Sequence, residues 1–120
     1  MKRLAFVLAL TGSVQAALAA EPFVGTWSAG SSVGLPRCST DDDGKLILRS
    51  DSEAGYEHYC KFTKKQPAGG NAWRIQSQCE GTGERWSKNA IVTVENKDRL
   101  VYQPTVEGKT QKIVYNRCAN

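Results

Sequence analysis

The sequence predicts an all-β fold, a small antiparallel up-and-down barrel of about seven to eight strands. Three observations carry that prediction. Cys60 and Cys79 stand at facing positions of a hairpin, in two runs that alternate about a Pro- and Gly-rich loop. Two turns in the C-terminal third, placed independently, give one common inward face. After the first 20 residues no stretch has the 3.6-residue apolar spacing of a helix, whereas short strand-like runs recur between turn signals.

The chain opens Met1-Lys2-Arg3, continues through the apolar run Leu4 to Leu10, and reaches Ala16-Ala17-Leu18-Ala19-Ala20. A basic start, a short apolar core and small residues at −3 and −1 predict a cleavable signal peptide over 1–20, cut after Ala19 or Ala20. The apolar core is too short for a comfortable membrane span. Residues 21–120 are then a single exported domain, periplasmic or secreted. Loss of Lys2 and Arg3 takes the 16 basic residues to 14 against 12 acidic ones, so the net charge falls from +4 to +2. A charge that small argues for neither nucleic acid nor an anionic membrane surface as partner.

Phe23-Val24-Gly25-Thr26-Trp27-Ser28-Ala29 reads as the first strand, with Phe23, Gly25, Trp27 and Ala29 on one face. Residues 30–44, rich in Ser, Gly, Pro and Asp, read as a long loop carrying Cys38. Lys45 to Arg49 is a short strand, and Asp51-Ser52-Glu53-Ala54-Gly55 reads as a turn.

The hairpin from Tyr59 to Cys79 turns through Pro67-Ala68-Gly69-Gly70-Asn71. Symmetric pairing about that loop sets Gln66 against Trp73, Lys64 against Ile75, Phe62 against Ser77 and Cys60 against Cys79. Period-2 alternation then puts Cys60, Phe62, Trp73, Ile75 and Cys79 on one inward face. Directly opposed cysteines in an antiparallel pair lie within disulfide reach. Four cysteines in an exported chain predict two disulfides, Cys60–Cys79 and by elimination Cys38–Cys118. The first closes a loop of about 20 residues and should contribute about 3 kcal/mol through chain entropy.

Glu80-Gly81-Thr82-Gly83-Glu84 is the next turn, and Trp86 to Glu95 the next strand. With Asn96-Lys97-Asp98 as a turn, Val94 opposes Leu100 and Val92 opposes Tyr102. With Glu107-Gly108 as a two-residue turn, Tyr102 opposes Ile113 and Leu100 opposes Tyr115. Six residues on three strands thus share one face. The same parity turns Arg117 inward, where a guanidinium needs acceptors and an aromatic ring, and Trp27 is the expected ring.

Gly25-Thr26-Trp27 and the late Arg117 resemble the Gly-x-Trp and terminal Arg of the calycin superfamily of lipocalins, avidins and fatty-acid-binding proteins. In size and in its Trp-then-Cys opening the chain is also similar to small periplasmic metalloprotease-inhibitor barrels. The framework of Trp27, Cys38, Cys60, Trp73, Cys79, Arg117 and Cys118 resembles that of small exported proteobacterial proteins without assigned function. These resemblances imply an eight-stranded barrel closed by Trp27 and Arg117. The four cysteines depart from the inhibitors' single disulfide, so their inhibitory N-terminal trunk is not carried over.

Chemistry is sparse. Asp41-Asp42-Asp43-Gly44 lacks an EF-hand's first and twelfth ligands, since Ser39 and Ser50 hold those positions, and reads as a solvated turn. His58, the single histidine, has no Gly-x-Ser-x-Gly elbow to serve, and its alternation partners suggest a hydrogen-bonded core position. Glu80 and Glu84 are turn residues in a barrel with little cleft to shape a sugar site. Lys61, Lys64, Lys65 and Arg74 read as a solvated surface that discourages sheet-to-sheet pairing. Trp27, Trp73 and Trp86, pointing inward, would fill the interior.

No catalytic residue, cofactor or metal ligand is therefore expected, and the protein reads as non-enzymatic and monomeric. It would act as a protein-binding or inhibitor-type module on a partner in the cell envelope, without a membrane anchor. Its candidate binding loops are 30–44, with Leu35, Arg37, Asp41, Asp42 and Asp43, and the turn bearing Thr82 and Glu84. The alternative is a calycin-like carrier of a small apolar ligand near Trp27 and Trp73. A small hydrolase survives only if a cleft gathers His58 with a carboxylate.

Overall fold

The computed structural model describes residues 21–29 and 44–118. These form nine strands: β1 (Gly25–Ser28), β2 (Lys45–Leu48), β3 (Ser52–Gly55), β4 (His58–Pro67), β5 (Ala72–Gly81), β6 (Glu84–Asn96), β7 (Arg99–Val106), β8 (Lys109–Thr110) and β9 (Ile113–Arg117). Each strand from β1 to β7 pairs antiparallel with the next, β7 pairs β9, and β9 returns to β1. Eight strands therefore close an antiparallel barrel, which removes the exposed edges of an open sheet. The two-residue β8 is an addition on β7. Among the described residues there is no helix.

Closure follows from the registers that alternation predicts. Val94 opposes Leu100, Val92 opposes Tyr102, Tyr102 opposes Ile113 and Leu100 opposes Tyr115. Glu107 and Gly108, with φ of 53° and 80°, make the tight left-handed turn that joins β7 to β8. Cys60 opposes Cys79 and Phe62 opposes Ser77. The Cys60–Cys79 disulfide bridges Cα atoms 4.0 Å apart.

Three expectations are corrected. Beyond Phe62 a bulge at Thr63 shifts the hairpin by one residue. Lys64 therefore faces Gln76 instead of Ile75, and Trp73 faces Pro67 instead of Gln66. The segment expected as a turn at 51–55 is mostly strand β3, paired on both sides. Ala29 is exposed and not inward. The Cys60–Cys79 disulfide lies where it was expected, and Cys118 is also disulfide-bonded among the described residues. The other expected pair includes Cys38, which lies outside them together with the signal segment 1–20 and Leu35, Arg37, Asp41, Asp42 and Asp43.

The barrel interior is divided. One half is apolar, with Phe23, Trp27, Leu48, Ile75, Val92 and Leu100 almost fully buried. Phe23 meets Trp73 edge-on at 5.2 Å and so seals that end. Lys65 crosses to Glu21 and to the Ser50 carbonyl, its ammonium 5.7 Å from the centre of the Phe23 ring. Arg117 opposes Trp27, its guanidinium 4.3 Å from the Trp27 ring centre, and donates to the carbonyls of Lys97, Val24 and Pro22. Gly25 leaves room for it, because a Cβ there would lie 2.3 Å from Arg117 Nη1.

Candidate functional site: a buried ionic network and the tyrosine-bearing end

The other half of the interior is polar. Leu48 opposes Glu53 and Glu53 opposes Cys60, so the short β3 turns a carboxylate inward. On β6, parity with Ala90, Val92 and Val94 turns Lys88 inward as well. Both are buried. Lys88 Nζ donates to Glu53 Oε2 and, at 2.5 Å, to the Tyr102 hydroxyl. Tyr102 in turn donates to Glu53 Oε1 at 2.5 Å. His58 Nε2 donates to Glu53 Oε2 at 2.8 Å from a half-buried position. Both carboxylate oxygens are thus hydrogen-bonded, as a buried charge requires.

The electrostatics follow from this arrangement. Burial alone would raise the Glu53 pKa. The His58 hydrogen bond, the Lys88 charge and the hydrogen bonds from Lys88 and Tyr102 outweigh it and hold the group below its ordinary value. Tyr102 is pushed well above the usual phenol range, first by burial and then by the Glu53 charge and hydrogen bond. Tyr115, edge-on to Tyr102 at 5.9 Å, is pushed up to about 12 by burial and the same carboxylate.

His58 is hydrogen-bonded as expected but half-buried and not in the core, and Gly55 makes its place. A Cβ on Gly55 would fall 2.2 Å from His58 Cε1. Glu53, His58 and Cys60 bring potential ligand atoms within 4.8 Å of one another. The Cys60 sulfur is committed to the disulfide, however, and Glu53 Oε2 already receives Lys88 and His58. That donor set suits a structural network and not a cation. Sequence reasoning missed Glu53 and Lys88, because Ser-Glu-Ala-Gly has turn composition and carries no apolar signal. One clue was available. Lys88 lies in phase with Ala90, Val92 and Val94, and an inward lysine demands a carboxylate.

The barrel end nearest this network gathers the turns. Tyr56 and Glu57 join β3 to β4, and Thr82 and Gly83 join β5 to β6. The two turns touch: a Cβ on Gly81 would lie 2.2 Å from the Glu57 carbonyl. At the same end the chain leaves β1 at Ala29 and enters β2 after Gly44, joined by an Ala29 N–H to Gly44 carbonyl bond of 2.9 Å. Ala29 and Gly44 therefore lie at the same barrel end as Thr82 and Glu84, while the candidate residues Leu35, Arg37 and Asp41 to Asp43 lie outside the described residues. Tyr56 and Tyr59, the large hydrophobic side chains most exposed among the described residues, stand at this end too. Next to Tyr59 lies a shallow cavity of about 420 Å³ lined by Lys61, Gln78, Glu80 and Arg85.

Fold and site together define a class: a disulfide-bridged, closed eight-stranded antiparallel barrel with a half-apolar, half-ionic interior. Comparison with protein-family models, with curated proteins and with solved structures returns no match.

Proposed function

We propose that the chain is an exported, non-enzymatic binding module of protein-binding or inhibitor type, which engages its partner through the barrel end that bears Tyr56 and Tyr59. On this reading residues 1–20 are a signal peptide, the mature domain works in the periplasm or outside the cell, and the framework is calycin-like. A second disulfide, Cys38–Cys118, ties the 30–44 loop to the end of the last strand. The absence of a free thiol among the described residues is consistent with that pairing.

The observation that carries the proposal is that two exposed tyrosines stand at the barrel end that bears the Thr82–Gly83 turn, the end at which Ala29 and Gly44 also lie. Tyr56 is 60% and Tyr59 43% exposed, whereas the other large apolar side chains among the described residues are buried or half-buried. Exposed aromatics on a rigid scaffold are the residues that most often anchor protein interfaces. The filled apolar half of the interior speaks against the carrier alternative. His58 does meet a carboxylate, but its Nε2 is spent on Glu53, and among the described residues no Ser or Thr hydroxyl bonds to it, which disfavours the hydrolase.

Quantitative affinity capture from a cell-envelope extract tests the proposal, using the oxidised mature domain and its Tyr56→Ser/Tyr59→Ser variant. A protein recovered by the parent and lost by more than about tenfold with the variant supports it. Identical recoveries overturn it.

A further inference from the structure

A second surface carries an inference that does not depend on the tyrosine-bearing end. The registers of β5 to β8 set Gln76, Asn89, Thr105 and Thr110 in one row across four strands, on the outward face. The next row holds Arg74, Ile91 and Gln103. Together they line a shallow cavity of about 400 Å³. Neighbouring strands lie about 4.8 Å apart, so the first row offers polar groups at that interval over about 14 Å.

The chemistry of the lining selects the occupant. The amides of Gln76, Asn89 and Gln103 and the guanidinium of Arg74 make no side-chain hydrogen bond or ion pair among the described residues. Thr105 and Thr110 share a hydroxyl pair at 2.6 Å. No carboxylate lines the cavity, so Arg74 is its one formal charge. Ile91 supplies an apolar contact between the amides. Amides and hydroxyls that both donate and accept match a polyol, whose every hydroxyl does the same. An uncompensated guanidinium matches a carboxylate through a bidentate pair. A protein partner would want aromatic anchors, which this groove lacks, and a nucleic acid would want several cations.

From this charge and hydrogen-bond complementarity we propose that the outer face of β5–β6–β7, with β8, binds an acidic oligosaccharide, its carboxylate on Arg74 and its hydroxyls on Gln76, Asn89, Gln103 and Thr105.

Calorimetric titration of the oxidised mature domain tests this with a hexameric oligogalacturonate, the neutral cello-oligosaccharide of equal length, and inorganic polyphosphate. Saturable binding of the oligogalacturonate is expected, with the neutral chain weaker by roughly tenfold, the loss of one charge-assisted pair. R74Q should bring the two sugars to similar affinity, and N89A/Q103A should weaken both. All of these side chains are on the outer face, so melting temperatures should match the parent and serve as the folding control. No saturable sugar binding, binding indifferent to R74Q and N89A/Q103A, or polyphosphate binding as tightly as the acidic sugar would each overturn the proposal.

Discussion

Arg117 and Trp27 oppose each other across the seam between the last strand and the first, the guanidinium 4.3 Å from the indole ring centre. This contact joins the two ends of the described chain. The cation holds three main-chain carbonyls, from Pro22, Val24 and Lys97, so one side chain pins the N-terminal segment and the β6–β7 turn to the barrel. Trp27 Nε1 adds a 2.9 Å bond to the Phe23 carbonyl, which keeps Phe23 over the open end.

Substitution at this seam should be costly. Arg117→Met or Trp27→Ala should lower unfolding free energy by about 2–4 kcal/mol, measured by urea titration. Gly25→Ala should also destabilise, since its methyl group would occupy the space of Arg117 Nη1. Near-neutral values at all three positions would mean that the seam does not close the barrel.

The ionic network should behave as a unit. Glu53→Ala leaves Lys88 buried without its counter-charge and should cost about 3–5 kcal/mol. Replacing both partners, as Glu53→Leu/Lys88→Met, should cost much less than the sum of the single changes. A double-mutant cycle read by chemical denaturation checks this, and strict additivity would show that the two groups do not interact.

Stability should depend on pH at both extremes. Glu53 has a folded pKa below its ordinary 4.5. Its contribution is therefore fully present above that value and is lost as pH falls through the folded pKa. Tyr102 and Tyr115 have folded pKa values above the ordinary 10.0, Tyr115 at about 12. Their contribution is present below pH 10 and is lost as pH rises toward 12 and beyond. Glu53→Gln should flatten the acid limb of unfolding free energy against pH. Tyr115→Phe should flatten the alkaline limb, with tyrosinate absorbance reporting the titration directly.

Much of this structure is legible in the sequence, for a physical reason. Where one strand face is buried, period-2 alternation and turn chemistry together dictate register, and Val92, Val94, Leu100, Tyr102, Ile113 and Tyr115 fall into place. The bulge at Thr63 is not legible, because Thr63-Lys64-Lys65 is polar on both faces and a one-residue slip leaves no mark on the pattern. Strand β3 is hidden because its sequence is that of a turn and its neighbours impose the strand. The interior site is hidden with it, since a buried Glu is stabilised only by partners distant in sequence. Arg117 and Trp27 were legible because a guanidinium on an inward face has few places to go.

Disulfide mapping tests the hairpin register and the pairing proposed for Cys118. Non-reduced peptide mass analysis should link Cys60 to Cys79 and Cys38 to Cys118. A Cys38–Cys60 link would contradict the hairpin register.

The proposed binding surface is the barrel end that carries Tyr56, Tyr59, Thr82 and Glu84. Site-specific photo-cross-linking in living cells tests it most directly, with the photoreactive residue at Tyr59 or, as a control on the opposite end, at exposed Lys97. A discrete protein adduct from position 59 that is absent from position 97, and abolished by Tyr56→Ser, is the predicted result. The same adducts from both positions, or none from position 59, would contradict it.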